Sequence, residues 1–525
     1  MELIDRRPFV IGISGSTRSI SGKPRKGTII DIVNQSEDET ALRRAFCEDD
    51  QLNTVDRHVK QLGIRDGDGF NLYKSERKKT KRNKTFSNTE VALATALYGA
   101  KEAGADIDHL QLNRFFYPTP RAEKLRDLKE ALLRADGIVL ATPVYFGDRS
   151  SLISKLIDFI RSDAELKEAL SGTIMGGIAV AAKRNGGQET SLIYQLMDML
   201  EIGFLGVGND WRTTAQYGGT CHAGDVGMMA SDHVGIETAM GVGRRVGNVA
   251  RMSFMGEDHQ LLGRHRIIFL VTQDKDEIAL QYVKALTRRI SEAESTVINV
   301  TKLQIHPCQA CDLCPATVGP DKDSRCVVTS PDDDMQGVYD LLMNADVVVP
   351  VTYNPTDRTG LESAYQSLME RLRFMRRSNY MLSDRLIAPL VLEEIGAGQN
   401  MHIRMITSLI RQHSIVARPM QAYFHNGVPL NELDITRQFA TLNQAVRNIT
   451  RGRLLLYANP EESIEYQTVG YFSDQFEDAE EKARVSRLIH DDRVRRYQAE
   501  ANKRLKPLQE TMRRNSYGIK RVSPV

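Results

Sequence analysis

No apolar run in this chain is long enough to cross a bilayer. The longest weakly polar stretch, about Gly172 to Ala182, contains three glycines and falls short of the ~18 to 20 residues a spanning helix needs. A secretory signal is also missing, because Glu2 and Asp5 precede Arg6 and Arg7 and the apolar stretch behind them is only Phe9 to Ile13. The expectation is a cytoplasmic protein without a membrane partner. Charge of one sign is lacking too: 70 Lys and Arg stand against 68 Asp and Glu, which argues against nucleic acid or anionic lipid as a global partner. Cysteine is scarce, six in 525 residues, and four fall between Cys308 and Cys326, which in a reducing compartment suggests metal or redox chemistry rather than a disulfide frame. What is present is a globular composition, 41% apolar and 26% charged, in a chain long enough for two or three domains.

Short β-rich runs alternate with helix-period segments at Phe9 to Ser14, Ile107 to Leu112, Gly137 to Thr142, Ile174 to Ala181 and Gly203 to Gly208. The helical spacing is clearest in Val91, Ala94, Thr95, Leu97 and Tyr98, and in Val234, Ala239, Val242, Val246 and Val249. The plan then restarts at Arg266 to Thr272, Thr296 to Thr301, Asp346 to Thr352, Ala388 to Glu394 and Ser414 to Met420. The segment from Ala135 to Thr142 corresponds to that from Ala345 to Thr352, an offset of 210 residues, and Gly186-Gly187-Gln188 is echoed by Gly396-Ala397-Gly398-Gln399. These repeats predict an internal duplication. The fold class is α/β: two tandem, doubly wound, five-stranded parallel sheets, with ligands beyond the carboxyl ends of the strands.

The predicted domains are 1–258, with an insertion at 19–86, then 262–455, and a charged, mostly helical tail at 456–525. The insertion ends in a run from Lys74 to Lys84 with seven basic residues against one acid. No aromatics are interleaved to stack on bases, so a solvated or partly disordered insertion is the simpler reading. The tail is acidic through Glu481 and basic from Lys482 to Lys506, which reads as a structural arm that pairs with itself, the insertion or another subunit.

Three loops carry chemistry in the first copy. Gly12-Ile13-Ser14-Gly15-Ser16-Thr17-Arg18 follows the first strand and can aim backbone N–H groups, hydroxyls and a guanidinium at a phosphate. Thr142-Pro143-Val144-Tyr145-Phe146-Gly147 follows the third strand and offers a flat apolar wall. Lys183-Arg184-Asn185-Gly186-Gly187-Gln188-Glu189 follows the fourth and lets peptide groups approach a planar ring. Together they describe a slot for FMN at the switch point of such a sheet.

On these residues, with Ser87-Asn88-Thr89 opening the first helix and Lys155 and Asp158 on a later one, the first domain resembles the NADPH-dependent FMN reductase family of flavodoxin-like enzymes. The resemblance implies phosphate contacts from Ser16, Thr17, Arg18, Ser87, Asn88 and Thr89, and ring contacts from Pro143, Val144, Tyr145, Phe146, Gly186, Gly187 and Gln188. It implies NAD(P)H as electron donor, a quinone, small-molecule or protein acceptor, and pairing as a homo-oligomer or an intrachain pseudo-dimer. No catalytic side chain is assigned, because the cofactor carries the reaction. In the family the phosphate turn runs directly into the Ser-Asn-Thr helix start; here the insertion separates them, so the two must converge in space.

In the second copy the phosphate turn is replaced by Val271-Thr272-Gln273-Asp274-Lys275-Asp276-Glu277, without glycine and with three carboxylates that would repel a phosphate. Tyr353 and Asn354 stand in the ring loop and Gly398-Gln399 at the glycine pair, leaving a partial ring site open. This copy also carries Cys308, Cys311 and Cys314 at two-residue gaps, then Cys326 and Asp332-Asp333-Asp334-Met335, which resembles the iron-sulfur flavoprotein branch of the same superfamily. A [4Fe-4S] cluster on Cys308, Cys311, Cys314 and Cys326, a zinc site from these four cysteines or with His306 replacing one, and unmetallated thiols with structural or disulfide roles all stay open. Adjacent Cys221 and His222 rarely orient as a nucleophilic pair, and Cys47 reads as an ordinary thiol. The expected function is an NAD(P)H-dependent FMN oxidoreductase; the alternative is a non-catalytic flavin-binding or redox-sensing module.

Overall fold

A computed structural model describes residues 7–18, 27–50, 86–213, 217–224, 228–257, 264–290, 293–311, 314, 326–458, 463–464, 466, 480, 483–484, 487–488 and 490–504. The basic run 74–84 lies outside the described residues. The chain separates into two compact units, Met1–Arg251 and Met252–Val525.

In the first unit, β1 (Phe9–Ser14) pairs in parallel with β2 (Asp106–Gln111) on one side and β3 (Gly137–Pro143) on the other. Next comes β4 (Ile174–Ala181), flanked by two short strands, β5 (Leu205–Gly206) and β6 (Gly219–His222). The order β2-β1-β3-β4-β5/β6 is that of a flavodoxin-like sheet with its switch point between β1 and β3. The fifth strand, expected over Gly203 to Gly208, is thus interrupted. β4 is buried along its whole length, as a central parallel strand covered on both faces must be.

Residues of the insertion form helices α1 (Ile29–Gln35) and α2 (Glu39–Asp50), which bury Ile29, Ile32, Val33, Leu42 and Phe46. Part of the insertion is therefore built into the unit rather than solvated. The crossover helix α3 (Asn88–Glu102) is alanine-rich and buried over almost its whole length. It crosses the long helix α9 (His233–Glu257) so closely that a Cβ on Gly243 would lie 1.7 Å from the Ala96 carbonyl oxygen; only glycine fits there. Between α3 and α9 run α4 (Asn113–Phe116), α5 (Ala122–Leu132), α6 (Ser151–Ser162), α7 (Ala164–Ala169) and α8 (Gln188–Ile202). The periodic face of α9 holds for Ala239, Val242, Val246 and Val249, all fully buried, whereas Val234 at its first turn is 57% exposed.

The second unit repeats the order. β7 (His265–Asp274) lies between β8 (Ala293–Asn299) and β9 (Val347–Asn354), all parallel. The two-residue β10 (Glu362–Ser363) runs antiparallel to β7. The fourth strand is split into β11 (Leu386–Ile387) and β12 (Leu390–Glu394), and the fifth into β13 (Ile415–Val416) and β14 (Met420–His425). Each break contains a proline, Pro389 or Pro419, which has no N–H to give the ladder. A two-residue strand, β15 (Val428–Pro429), turns back along β14. Helices α10 (Ile278–Thr287), α11 (Met335–Asn344), α12 (Tyr365–Arg371), α13 (Arg373–Asn379), α14 (Met401–Leu409) and α15 (Glu432–Ala458) complete the unit. One of its cores joins Ile268, Leu270, Val348, Val391, Met405 and Leu409.

The described tail is helical over 490–504 and packs on this unit through polar groups. Arg504 pairs with Asp346 at 2.8 and 3.0 Å, and Arg453 of α15 reaches the same carboxylate at 3.0 Å. Arg493, only 2% exposed, lies over the Tyr466 ring and donates to the Tyr380 carbonyl at 3.2 Å. Among the described residues no helix is long and apolar enough to cross a membrane.

Candidate functional site

The turn after β1 leaves the sheet at Gly15, whose N–H donates to the Ala141 carbonyl of β3 at 2.8 Å. A Cβ at Gly15 would lie 2.5 Å from Ile153 Cγ1 and 2.8 Å from Ser150 Oγ, so the turn lies hard against the start of α6. Ser16 is 5% exposed and its Oγ accepts from the Arg18 N–H at 3.2 Å, a hydroxyl-closed turn that leaves Thr17 and Arg18 at the surface.

The first turn of α3 does meet this edge despite the insertion. Ser87 and Glu90 form a capping box: the Ser87 N–H donates to Glu90 Oε2 at 2.8 Å and the Glu90 N–H to Ser87 Oγ at 3.2 Å. Gln111 then donates to Glu90 Oε1 at 2.6 Å, and Gln111 is the register partner of Ser14 at the end of β1. Ser87 and Asn88 have other side-chain work. The Ser87 hydroxyl donates to Glu90 at 3.0 Å, and Asn88 Oδ1 accepts from the Met229 N–H at 3.3 Å. Thr89 is 2% exposed.

The loop after β3 is a tight reversal in which Tyr145 and Asp148 exchange backbone hydrogen bonds at 2.8 and 3.0 Å. Phe146 at φ 53 and Gly147 at φ 79 are its central pair, the left-handed combination of a type I′ turn. The turn holds Tyr145 54% exposed and Phe146 fully exposed. Pro143 and Val144 are half-buried beneath it. Gly187, at φ 94, begins α8, and a Cβ there would stand 2.7 Å from the Gly147 Cα. The loops after β3 and β4 therefore touch through two glycine backbones. Gln188 is buried; its side-chain oxygen accepts from Gly186 N–H at 2.8 Å and its amide donates to the carbonyls of Lys183 and Cys221 at 2.8 and 3.1 Å.

Sequence reasoning missed the residues that join these loops. Ser150 Oγ donates to the Gly15 carbonyl at 2.7 Å, and the Ser150 N–H donates to Thr142 Oγ1 at 2.9 Å, so one serine ties the turn after β1 to the end of β3. Its signal is legible in hindsight as a helix N-cap before α6. Glu90 was legible too, three residues after Ser87. Asp232 carries no local signal; it accepts from the His222 N–H at 2.6 Å and pairs with Arg184. Cys221 is fully buried, with its Sγ on the Gly235 carbonyl at 3.4 Å, and burial pushes its thiol up far from a reactive thiolate. No nucleophilic pair exists at Cys221 and His222. Cys47 lies on α2.

In the second unit the turn after β7 is closed by its own carboxylate. Asp274 Oδ1 accepts from the Lys275 and Ala279 N–H groups, both at 2.8 Å, and Oδ2 from Leu280 at 3.1 Å. Burial raises its pKa despite these donors. Asp276 and Glu277 follow at φ 54 and 58. At the end of β9, Tyr353 donates to Glu394 at 2.8 Å, and Asn354 is fully buried with neither side-chain atom partnered among the described residues.

Cys308, Cys311, Cys314 and Cys326 line one small cavity with Arg371 and Phe374, and none is in a disulfide. Arg371, 1% exposed, braces the surrounding segments: it binds Asp333 at 2.9 and 2.8 Å and the carbonyls of His306 and Val328 at 2.9 and 3.1 Å. Its buried Nε has no partner among the described residues. Also among the described residues, no three His, Cys, Asp or Glu side chains are placed to hold a metal ion as they stand. His306 Nε2 lies 3.3 Å from Asp332.

Residues 77–216 match the family model of the NADPH-dependent FMN reductases. An iron-sulfur flavoprotein of Methanocaldococcus jannaschii is 35% identical over 133 residues, 25% of this chain and 68% of that protein. An NAD(P)H dehydrogenase (quinone) of Caulobacter vibrioides is 26% identical over 193 residues, 32% of this chain and 92% of that one. A solved flavodoxin, WrbA-like protein from Agrobacterium tumefaciens is similar over 30% of this chain and 88% of its own, at 23% identity and a TM-score of 0.23. With 35% identity over two thirds of a relative's length, the chain belongs to the flavodoxin-like NADPH-dependent FMN reductase family and is an oxidoreductase of that family.

Proposed function

We propose that the first unit binds one FMN at the carboxyl edge of β1, β3 and β4 and uses NAD(P)H to reduce it. The observation that carries this reading is the joining of three loops at one edge, Gly15 to Thr142 through Ser150 and Gly147 against Gly187. The residues fit the group. Gly15 and Gly187 are positions where a Cβ would collide with Ile153 and Ser150 or with Gly147, so bare backbone there lets the three loops pack into one cradle. Ser16, Thr17 and Arg18 would hold the phosphate, aided by the positive end of α3. Asn88 and Thr89 contribute as helix-start backbone, and Ser87 as its cap. Pro143, Val144, Tyr145 and Phe146 would cover the ring on one side, while Gly186 and Gly187 approach it by backbone and Gln188 braces their loop.

Bound FMN supplies the two-electron chemistry that links a nicotinamide to an acceptor; the chain orients it and limits water at its edge. Arg18→Ala, at an exposed guanidinium, is expected to weaken FMN retention at least tenfold in equilibrium dialysis with the melting temperature of the flavin-free protein unchanged. Unaltered FMN affinity would move the phosphate site elsewhere. A protein that stays colourless on reconstitution with FMN would instead favour the non-catalytic module.

A second reading concerns the cysteines. Four thiols around one cavity, beside a buried arginine with an unpartnered Nε, have the donors and the neighbouring positive charge for an anionic [4Fe-4S] cluster, although the thiols must close in to ligate it. Anaerobic purification with iron and sulfide analysis tests this: about four of each per chain, lost in Cys311→Ser, is the expected result. Zinc in their place, or neither metal, rejects the cluster. The matched strand order and the 210-residue offset from Ala135 to Ala345 support an origin of the two units by duplication.

A further inference from the structure

The loop after β4 is exposed from Ala182 to Gly186 and lies beyond the last strand residue, Ala181, so its shape depends on what its own groups grasp. Gly186 closes the turn by donating its N–H to the Arg184 carbonyl at 3.0 Å. The Arg184 guanidinium reaches out of the loop: it donates to the Thr220 carbonyl of β6 at 2.9 Å and pairs with Asp232. Gly187 follows, packed so closely on Gly147 that a Cβ would not fit. A displacement of this loop is therefore passed to the loop after β3, which carries Tyr145 and Phe146.

Asp232 stands immediately before α9 with its side chain 4% exposed. One carboxylate oxygen accepts from the Gly235 N–H at 3.0 Å, and the other from the His222 N–H at the end of β6 at 2.6 Å. The first of these bonds is a helix N-cap. A Cβ on Gly235 would lie 2.0 Å from Asp232 Oδ2, so the first turn of α9 is closed around the carboxylate. A cap needs only an acceptor, which serine or asparagine supplies as well; the negative charge is left for Arg184. Because the carboxylate is sealed from solvent, this attraction is screened less than that of a pair exposed at both ends. The turn leading into Asp232 also grips the far end of the site. Met229, three residues earlier and fully buried, donates its N–H to Asn88 Oδ1 in the first turn of α3 at 3.3 Å.

We propose that Asp232 is a positioning residue for the flavin: through Arg184 its charge sets how far the backbone of Gly186 and Gly187 reaches toward the ring, from the same turn that holds the helix start beside the phosphate. The inference rests on FMN binding by the first unit.

Titration of the flavin-free full chain with FMN, followed by quenching of flavin fluorescence, tests it together with the visible circular dichroism of the bound flavin. Asp232→Asn keeps a capping acceptor and removes the charge; Arg184→Met removes the partner at an exposed position. Each is expected to weaken FMN about tenfold and to alter the flavin dichroism, with the double variant no weaker than either single one, as two residues acting through one contact require. Arg184→Lys, which keeps the charge, should recover most of the affinity lost in Arg184→Met. Wild-type affinity in either single variant overturns the proposal. So do losses that add in the double variant while the flavin-free Asp232→Asn protein melts earlier, which would make Asp232 a helix cap only. A wild-type chain that takes up no FMN overturns the flavin reading and this inference with it, whereas normal uptake by wild type and both variants overturns this inference alone.

Discussion

Gly187 concentrates much of what single residues do here. Its φ of 94, and the 2.7 Å at which a Cβ would meet the Gly147 backbone, mean that a larger residue is strained twice, by conformation and by contact. Gly187→Ala is expected to cost about 1 to 3 kcal/mol in urea unfolding of the flavin-free protein, and to lower FMN retention further than that loss alone implies, because the loop after β3 must move. Retention equal to wild type would show that the glycine contact is not part of the cradle. The glycine pair was legible in the sequence as a turn of bare backbone after β4, and the fold uses Gly187 to let that turn meet Gly147. Ser150 was legible only as a helix N-cap, since its tie to the turn after β1 depends on a residue that lies 135 positions away in the chain. Cys221 shows the opposite error avoided: adjacency to His222 suggested chemistry, but burial settles the thiol as a packed, protonated group.

At the scale of elements, strands were readable and their interruptions were not. The runs at Phe9 to Ser14 and Ile174 to Ala181 coincide with β1 and β4 because a parallel strand buried on both faces must be continuously apolar. The splits at Pro389 and Pro419 were present in the sequence as missing donors. The tail is the larger surprise. Its helix is anchored by charge inside protein, where Asp346 is fully buried among Arg453, Arg504 and Arg266. Hydrogen bonds and charge from these arginines overcome desolvation and hold the Asp346 carboxyl well below its usual range; charge from Arg453, Arg385 and Arg266 likewise draws Glu500 down to about 2. Groups with depressed folded pKa values stabilise above their unfolded values near 4 and lose that contribution as pH falls through the folded ones. Stability of the second unit should therefore be flat from pH 7 to about 5 and decline between about 4.5 and 2, followed by near-ultraviolet circular dichroism. Asp346→Ala leaves the arginines unpaired and is expected to cost about 3 to 5 kcal/mol, with the acid decline reduced in the variant. A decline of the same size in both would remove Asp346 from the linkage.

For the molecule as a whole, the near balance of 70 basic and 68 acidic residues hides an asymmetry between the two carboxyl edges. In the first unit the turn after β1 ends in hydroxyls and Arg18. In the second, the equivalent turn contains a carboxylate that already accepts three N–H groups, from Lys275, Ala279 and Leu280, the same kind of donor set a flavin phosphate would need at a helix start. Asp274 is in effect a built-in anion, and Asp276 and Glu277 add charge beside it. The absence of glycine from this turn made the difference legible in the sequence; that Asp274 itself fills the place required the fold. A phosphate entering there would have to displace a hydrogen-bonded carboxylate and sit against two others, whereas the first turn, Gly12 to Arg18, has no carboxylate in its own sequence. The expected stoichiometry is accordingly one FMN per chain, measured from the flavin absorbance released on denaturation against protein by amino-acid analysis. Arg18→Ala should bring that ratio toward zero under dilution, and Asp274→Ala should leave it at one. Two FMN per wild-type chain, or one that survives loss of Arg18, would mean that the second edge binds flavin despite its carboxylates.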